Sequence, residues 1–133
     1  MGMGLLDKLF KRGNEESGAD LPVRLDIEAR KAQLLQLEQA CDNLARAMRD
    51  KESHLEAPGW RERINEYSRA AGDAMLLRKG EIDRERLLDL AFEIRPVYSG
   101  TAPKGLEDLG PLQDEVVRSA AAIGELLPGE RQA

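Results

Sequence analysis

The chain reads as all-α: a four-helix up-and-down bundle with a long first helix and a flexible amphipathic N-terminal tail. Three observations predict this. Apolar residues recur at helical steps of three and four through most of the 133 residues. Proline and glycine cut that periodicity into four runs. Aromatic residues are only 4% of the chain, which disfavours a sandwich or barrel, because strands favour aromatic and β-branched side chains.

The first run extends from about Leu21 to Leu55. Ile27, Leu34, Leu37, Cys41, Leu44, Met48 and Leu55 fall on alternating steps of three and four, with Arg30 and Lys51 in the two remaining positions. This is a heptad stripe on one helix face. Ala57-Pro58-Gly59 then turns the chain. At 1.5 Å per residue such a helix is about 50 Å long, against about 25–30 Å for the others. It must break, span two partners, or pair with a second chain. Ile27, Leu34, Leu37, Cys41, Leu44 and Met48 are therefore the expected self-association seam of a homodimer.

A second helix is expected over Trp60 to Lys79, with Trp60, Ile64, Tyr67, Ala71, Ala74 and Met75 on its apolar face. Gly80 suits a left-handed residue beyond its end. A third begins at the N-cap Asp83, with Ile82 and Leu87 placed to form a hydrophobic staple, and stops at or kinks near Pro96. Residues 99–110 read as a loop with a short turn at Leu106–Leu109. Pro111 opens a fourth helix carrying Leu112, Val116, Ala120, Ile123 and Leu127, which Pro128-Gly129 closes. The domain reading is 1–20 amphipathic segment plus acidic linker, 21–127 helical bundle, and 128–133 polar tail.

Composition removes several function classes. The net charge of −5 disfavours binding to phosphate backbones, so no nucleic-acid partner is expected. A single cysteine and a single histidine do not support a disulfide framework or a cysteine-rich zinc site. A di-metal bundle wants two Glu-x-x-His pairs, and the residue three before His54 is Lys51. A phosphotransfer histidine would sit mid-helix beside a basic residue, whereas His54 precedes Leu55-Glu56-Ala57-Pro58-Gly59. Arg24, Arg30 and Arg46, with Arg63 or Arg69, could bind a dicarboxylate as in small helical chorismate mutases. Their spacing does not reproduce that pattern, and arginines on so charged a chain ordinarily serve neighbouring carboxylates. Cys41 lies on the core stripe and reads as a small apolar residue. No catalytic, cofactor-binding or metal residue is assigned.

The N-terminal segment is the most informative stretch. Residues 1–12 hold Lys8, Lys11 and Arg12 against Asp7, a charge of +2 that leaves −7 on the remainder. On a helical wheel Met3, Leu5, Leu6, Leu9 and Phe10 share one side, and Lys8, Lys11, Arg12 and Asp7 the other. That layout suits an interfacial helix with apolar residues immersed and basic residues among lipid head groups. Leu5, Leu6, Leu9, Phe10, Lys8, Lys11 and Arg12 are the expected membrane- or partner-docking residues. Four or five such side chains give a gross several kcal/mol, at ~1.5–3 kcal/mol each when fully buried. Ordering about eight residues costs a comparable amount, so one copy binds weakly and reversibly.

The expected function is non-enzymatic: a cytoplasmic adaptor or scaffold for a protein partner, peripheral on an anionic membrane where its N-terminus docks. The alternative from another class is a small helical enzyme gripping an anionic metabolite through arginines. An acidic inhibitor-like module mimicking an anionic ligand is a third reading, resting on charge alone.

Overall fold

The computed structural model describes residues 24–130. One compact unit spans Leu25–Leu127 and contains four α-helices and two 3-10 turns, with no strand among the described residues. Arg24 and residues 128–130 belong to a second unit, where Gly129 takes a positive φ of 91° in a turn. The docking residues Leu5, Leu6, Leu9, Phe10, Lys8, Lys11 and Arg12 lie outside the described residues.

Helix α1 is Ile27–Arg49. Asp26 caps it by accepting from the Ala29 amide at 3.2 Å. Glu28 in the first turn and Arg46 and Arg49 in the last complement the helix dipole. The end falls short of the expected Leu55 although no proline or glycine intervenes. Local bonds tighten the last turn instead: the Lys51 amide donates to Met48 O at 3.1 Å, and the Trp60 indole donates to the same carbonyl at 3.2 Å. Lys51 itself reaches Asp108 at 2.8 Å, and a 3-10 turn follows at Glu52–His54. With 23 residues, α1 is about 34 Å long rather than about 50 Å. The overhang that pointed to a second chain is absent.

The heptad stripe is spent inside the chain. Leu34, Leu37, Cys41, Leu44 and Met48 are wholly buried at 0% exposure, and only Ile27 of the expected seam remains accessible, at 40%. The physical reason is that α1 is central and packs against both α2 and α4. A homodimer would therefore need another surface.

Helix α2, Trp60–Lys79, has the expected bounds. Trp60, Ile64, Tyr67, Ala70, Ala71, Ala74 and Leu77 are buried, and the alanines let α1 approach closely, while Met75 is only half-buried. Gly59 enters the helix at φ 80°, a left-handed value that favours glycine. Gly80 is not left-handed as expected: its φ is −105°. A Cβ there would lie 3.0 Å from Leu76 O, so close approach rather than handedness favours glycine.

Helix α3, Arg84–Glu93, starts at Asp83, which accepts from the Arg86 amide at 2.8 Å. Ile82 and Leu87 are both buried. The helix stops before Pro96, with Ile94 already extended. A 3-10 turn at Glu107–Leu109 occupies the expected place and buries Leu106 and Leu109. Helix α4, Gly110–Gly124, carries Pro111 in its first turn and buries Val116, Ala120 and Ile123. It ends three residues before Leu127: Pro128 has no N–H to donate to Gly124 O, and side chains take the carbonyls at this end. Arg30 donates to Ile123 O at 2.8 Å and Glu125 O at 2.7 Å. Arg84 donates to Gly124 O at 3.2 Å, and Gln33 to Ala122 O at 3.4 Å.

The connector after α3 is pinned from two sides. Tyr67 OH donates to Arg95 O, and Arg63 donates to Pro96 O. From α4, buried Gln113 accepts from the Val97 and Tyr98 amides at 2.9 and 3.2 Å and donates to Tyr98 O at 3.1 Å. Replacing Gln113 by Leu keeps most of the volume and strands these backbone groups. The expected cost is about 2 kcal/mol, read by urea unfolding with an unchanged m-value. Wild-type stability in that variant would show that the glutamine does not hold the connector.

Candidate functional site

Helix α3 is only ten residues long and packs mainly on α4, with thinner packing on α2. That leaves the seam between α2 and α3 partly open. The spacing of α2 places Glu62, Glu66, Arg69, Asp73 and Leu76 on one outward face, at steps of four, three, four and three. Arg86, Asp89, Leu90 and Glu93 stand along the facing side of α3.

Two adjoining hollows run along the seam, and a third continues from them on the α2 face. The first, about 290 Å³, is lined by Asp73, Leu76, Leu77 and Glu81 on one side and Arg86, Asp89, Leu90 and Glu93 on the other. Glu93 is shared with the second, about 300 Å³, which Glu66, Arg69, Ile94 and Arg95 also border. Glu66 and Arg69 continue into a third, beside Glu62 and Asn65. Across the three, Glu62, Glu66, Asp73, Glu81, Asp89 and Glu93 face Arg69, Arg86 and Arg95, a balance of −3. The floor near Gly80 is apolar, formed by Leu76, Leu77 and Leu90. Leu76 is 67% exposed, because its place on α2 points away from the core.

The charges in this groove are unevenly settled. Glu66 is held by Arg95 at 3.1 Å and Arg63 at 3.5 Å. Glu93 is not so held: partial desolvation, then the neighbouring Asp73, raise its carboxyl above the ordinary value, with Arg69 opposing and Asp89 adding. Among the described residues no group of three or more metal-ligating side chains is gathered in a way that could hold a metal ion.

The other sequence candidates occupy separate places. Arg30 binds the end of α4, Arg63 the connector after α3, and Arg46 approaches Asn43 at 3.4 Å on the surface. Arg69 is exposed in the groove and Arg24 lies in the second unit. These arginines are thus divided among different seams. His54 sits in the 3-10 turn, its ring 5.3 Å from the Trp60 ring and its Nδ1 3.3 Å from Ser53 Oγ. Tyr98 is half-buried, and its hydroxyl would meet a Cβ at Gly110 at 3.0 Å. Another hollow, between α1 and the end of α2, is bordered by Lys31, Leu35, Arg78 and Lys79. Arg78 there is engaged by Glu38 at 2.7 Å.

Sequence reasoning missed the α2–α3 groove. Its traceable signal was Leu76 beside Leu77: two adjacent leucines on a helix cannot both point at one core. Comparison with known proteins adds no relative: no protein family, no curated protein and no solved structure matches the chain. No helix among the described residues is long and apolar enough to cross a membrane.

Two outcomes are expected. Burial pushes the Cys41 thiol up to about 12, with Asp42 adding to the effect. Native protein at pH 8 should therefore react with a disulfide reagent on the order of a hundredfold more slowly than urea-unfolded protein. Equal rates would place Cys41 at an accessible site. For Glu93, the raised value means that the folded state favours the protonated carboxyl. Its ionisation therefore costs stability as pH rises through the folded value. Glu93→Gln should raise the melting temperature at pH 7, and the gain should vanish once pH falls below the ordinary carboxyl value. A gain that persists in acid would show that charge is not its cause.

Proposed function

We propose that this chain is a non-enzymatic adaptor or protein-interaction module, with its four helices forming an up-and-down bundle that presents one surface to a protein partner. The observation that carries the reading is the open α2–α3 groove, acidic at its rim and leucine-lined at its floor, beside the highly exposed Leu76. An adaptor displays apolar surface that its own core does not use, and grooves of this kind receive helices from partners.

The engagement of the arginines supports the same reading over the metabolite-binding enzyme. Arg30, Arg63, Arg84 and Arg95 are committed to carbonyls or to Glu66, and Arg78 to Glu38. Such guanidinium groups hold the fold together. They would have to leave those partners before a dicarboxylate could recruit them.

The N-terminal segment supplies the second arm of the proposal. Leu5, Leu6, Leu9 and Phe10, with Lys8, Lys11 and Arg12, would anchor the adaptor peripherally on an anionic membrane of the cytoplasmic side. Co-sedimentation with anionic liposomes tests this, comparing the full chain with a version lacking residues 1–12 at low and moderate salt. The expected result is pelleting that needs the segment and weakens with salt. No pelleting of either form would remove the membrane from the proposal.

A further inference from the structure

We infer that the α2–α3 groove binds a basic amphipathic helix supplied by a partner protein. The inference rests on the adaptor reading and names the partner class for its groove.

Length is the first argument. The α2 face from Glu62 to Leu76 spans fifteen positions, about 21 Å, and α3 about 15 Å. A partner helix of three to four turns matches that run. The second argument is the floor. Leu76 is the exposed apolar contact, backed by the buried edges of Leu77 and Leu90, and it offers an anchor point for an apolar side chain of a partner helix. Leu76 cannot be covered from within its own helix pair, because it faces away from the core.

Charge decides the sign of the partner. Asp73, Asp89 and Glu93 surround the floor, and none of them forms an ion pair among the described residues. Arg86 is drawn to Asp83 at 3.3 Å, and Arg95 to Glu66. Arg69 offsets the carboxylates in part, yet Glu93 stays raised, through desolvation first and the neighbouring Asp73 second, with Asp89 adding. A cationic ligand relieves that repulsion, whereas an acidic one adds to it. Lysines or arginines flanking a leucine stripe would meet the rim while the stripe covers the floor. The helical unit of a second copy is a poorer fit, because it would present a like-charged groove.

The test selects peptides from a random 16-residue library against the full chain. Enriched peptides are then measured against Leu76→Asp and against Asp73→Lys combined with Glu93→Lys. Both variants change exposed or groove positions, and circular dichroism checks that each stays folded. The expected peptides carry a net charge of about +2 or more and apolar residues at helical steps, and both variants weaken them at least about tenfold, a loss of ~1.4 kcal/mol. Enrichment of neutral or acidic peptides, unchanged binding to both variants, or no enrichment would overturn the inference. A wild-type dimer that either variant converts to monomer would assign the groove to a second copy and overturn it too. If the groove selects nothing while residues 1–12 still carry the chain to liposomes, only this inference fails.

Discussion

A guanidinium sealed at 0% exposure between two helices is costly to bury, and the surrounding architecture follows from how Arg30 is satisfied. It projects from α1 to the end of α4 and donates to the carbonyls of Ile123 and Glu125. Ile123 O has no acceptor role left inside the helix and lies at the negative end of its dipole, and Glu125 O follows just beyond the helix end. One side chain therefore meets two needs: α4 gains a terminus, and the buried cation gains oxygen partners. Gln33 and Arg84 bind neighbouring carbonyls, so α1 and α3 are both tied to the same end. Arg30 occupies a heptad position where a leucine would be ordinary. It exchanges hydrophobic packing for a fixed docking register.

A second polar tie governs the opposite side. Tyr67 and Arg63 hold the carbonyls just after α3, while Gln113 holds the next two residues from α4. The connector is thereby fixed without regular secondary structure. Its backbone needs are met by side chains from α2 and α4, as buried polar groups require. The ties from α2 hold the end of α3 beside it, while the rest of the α2–α3 seam is sparsely packed.

Much of the fold was legible in the sequence because its punctuation is strong. Pro58-Gly59 and Gly80 bracket α2, and Asp83 with Pro96 bracket α3, so those helices lie where periodicity put them. The two misjudged ends have a common physical cause. Met48 O is shared by Lys51 and the Trp60 indole, and the last α4 carbonyls by Arg30, Gln33 and Arg84. Apart from the local Lys51 amide these are long-range side-chain bonds, which no neighbouring residue type marks. The stripe on α1 was identified correctly, but its partner was not: periodicity reports that a face is apolar, not whose surface covers it. Gln113 sits at the helical spacing of Val116, Ala120 and Ile123 and could have been singled out as a polar residue in a core row. The groove was harder to foresee, since it needs two helices to lie side by side.

Native-state hydrogen exchange of Arg30→Lys against wild type shows whether Arg30 couples α4 to the rest of the unit. Lysine keeps the charge and loses the planar fork that reaches two carbonyls together. The amides of residues 113–124 should lose protection as one block, while those in the middle of α1 and α2 keep theirs. An equal loss across all four helices would mean that Arg30 supports overall stability without acting as a coupling point. Unchanged protection in α4 would show that Arg30 does not hold that helix in place.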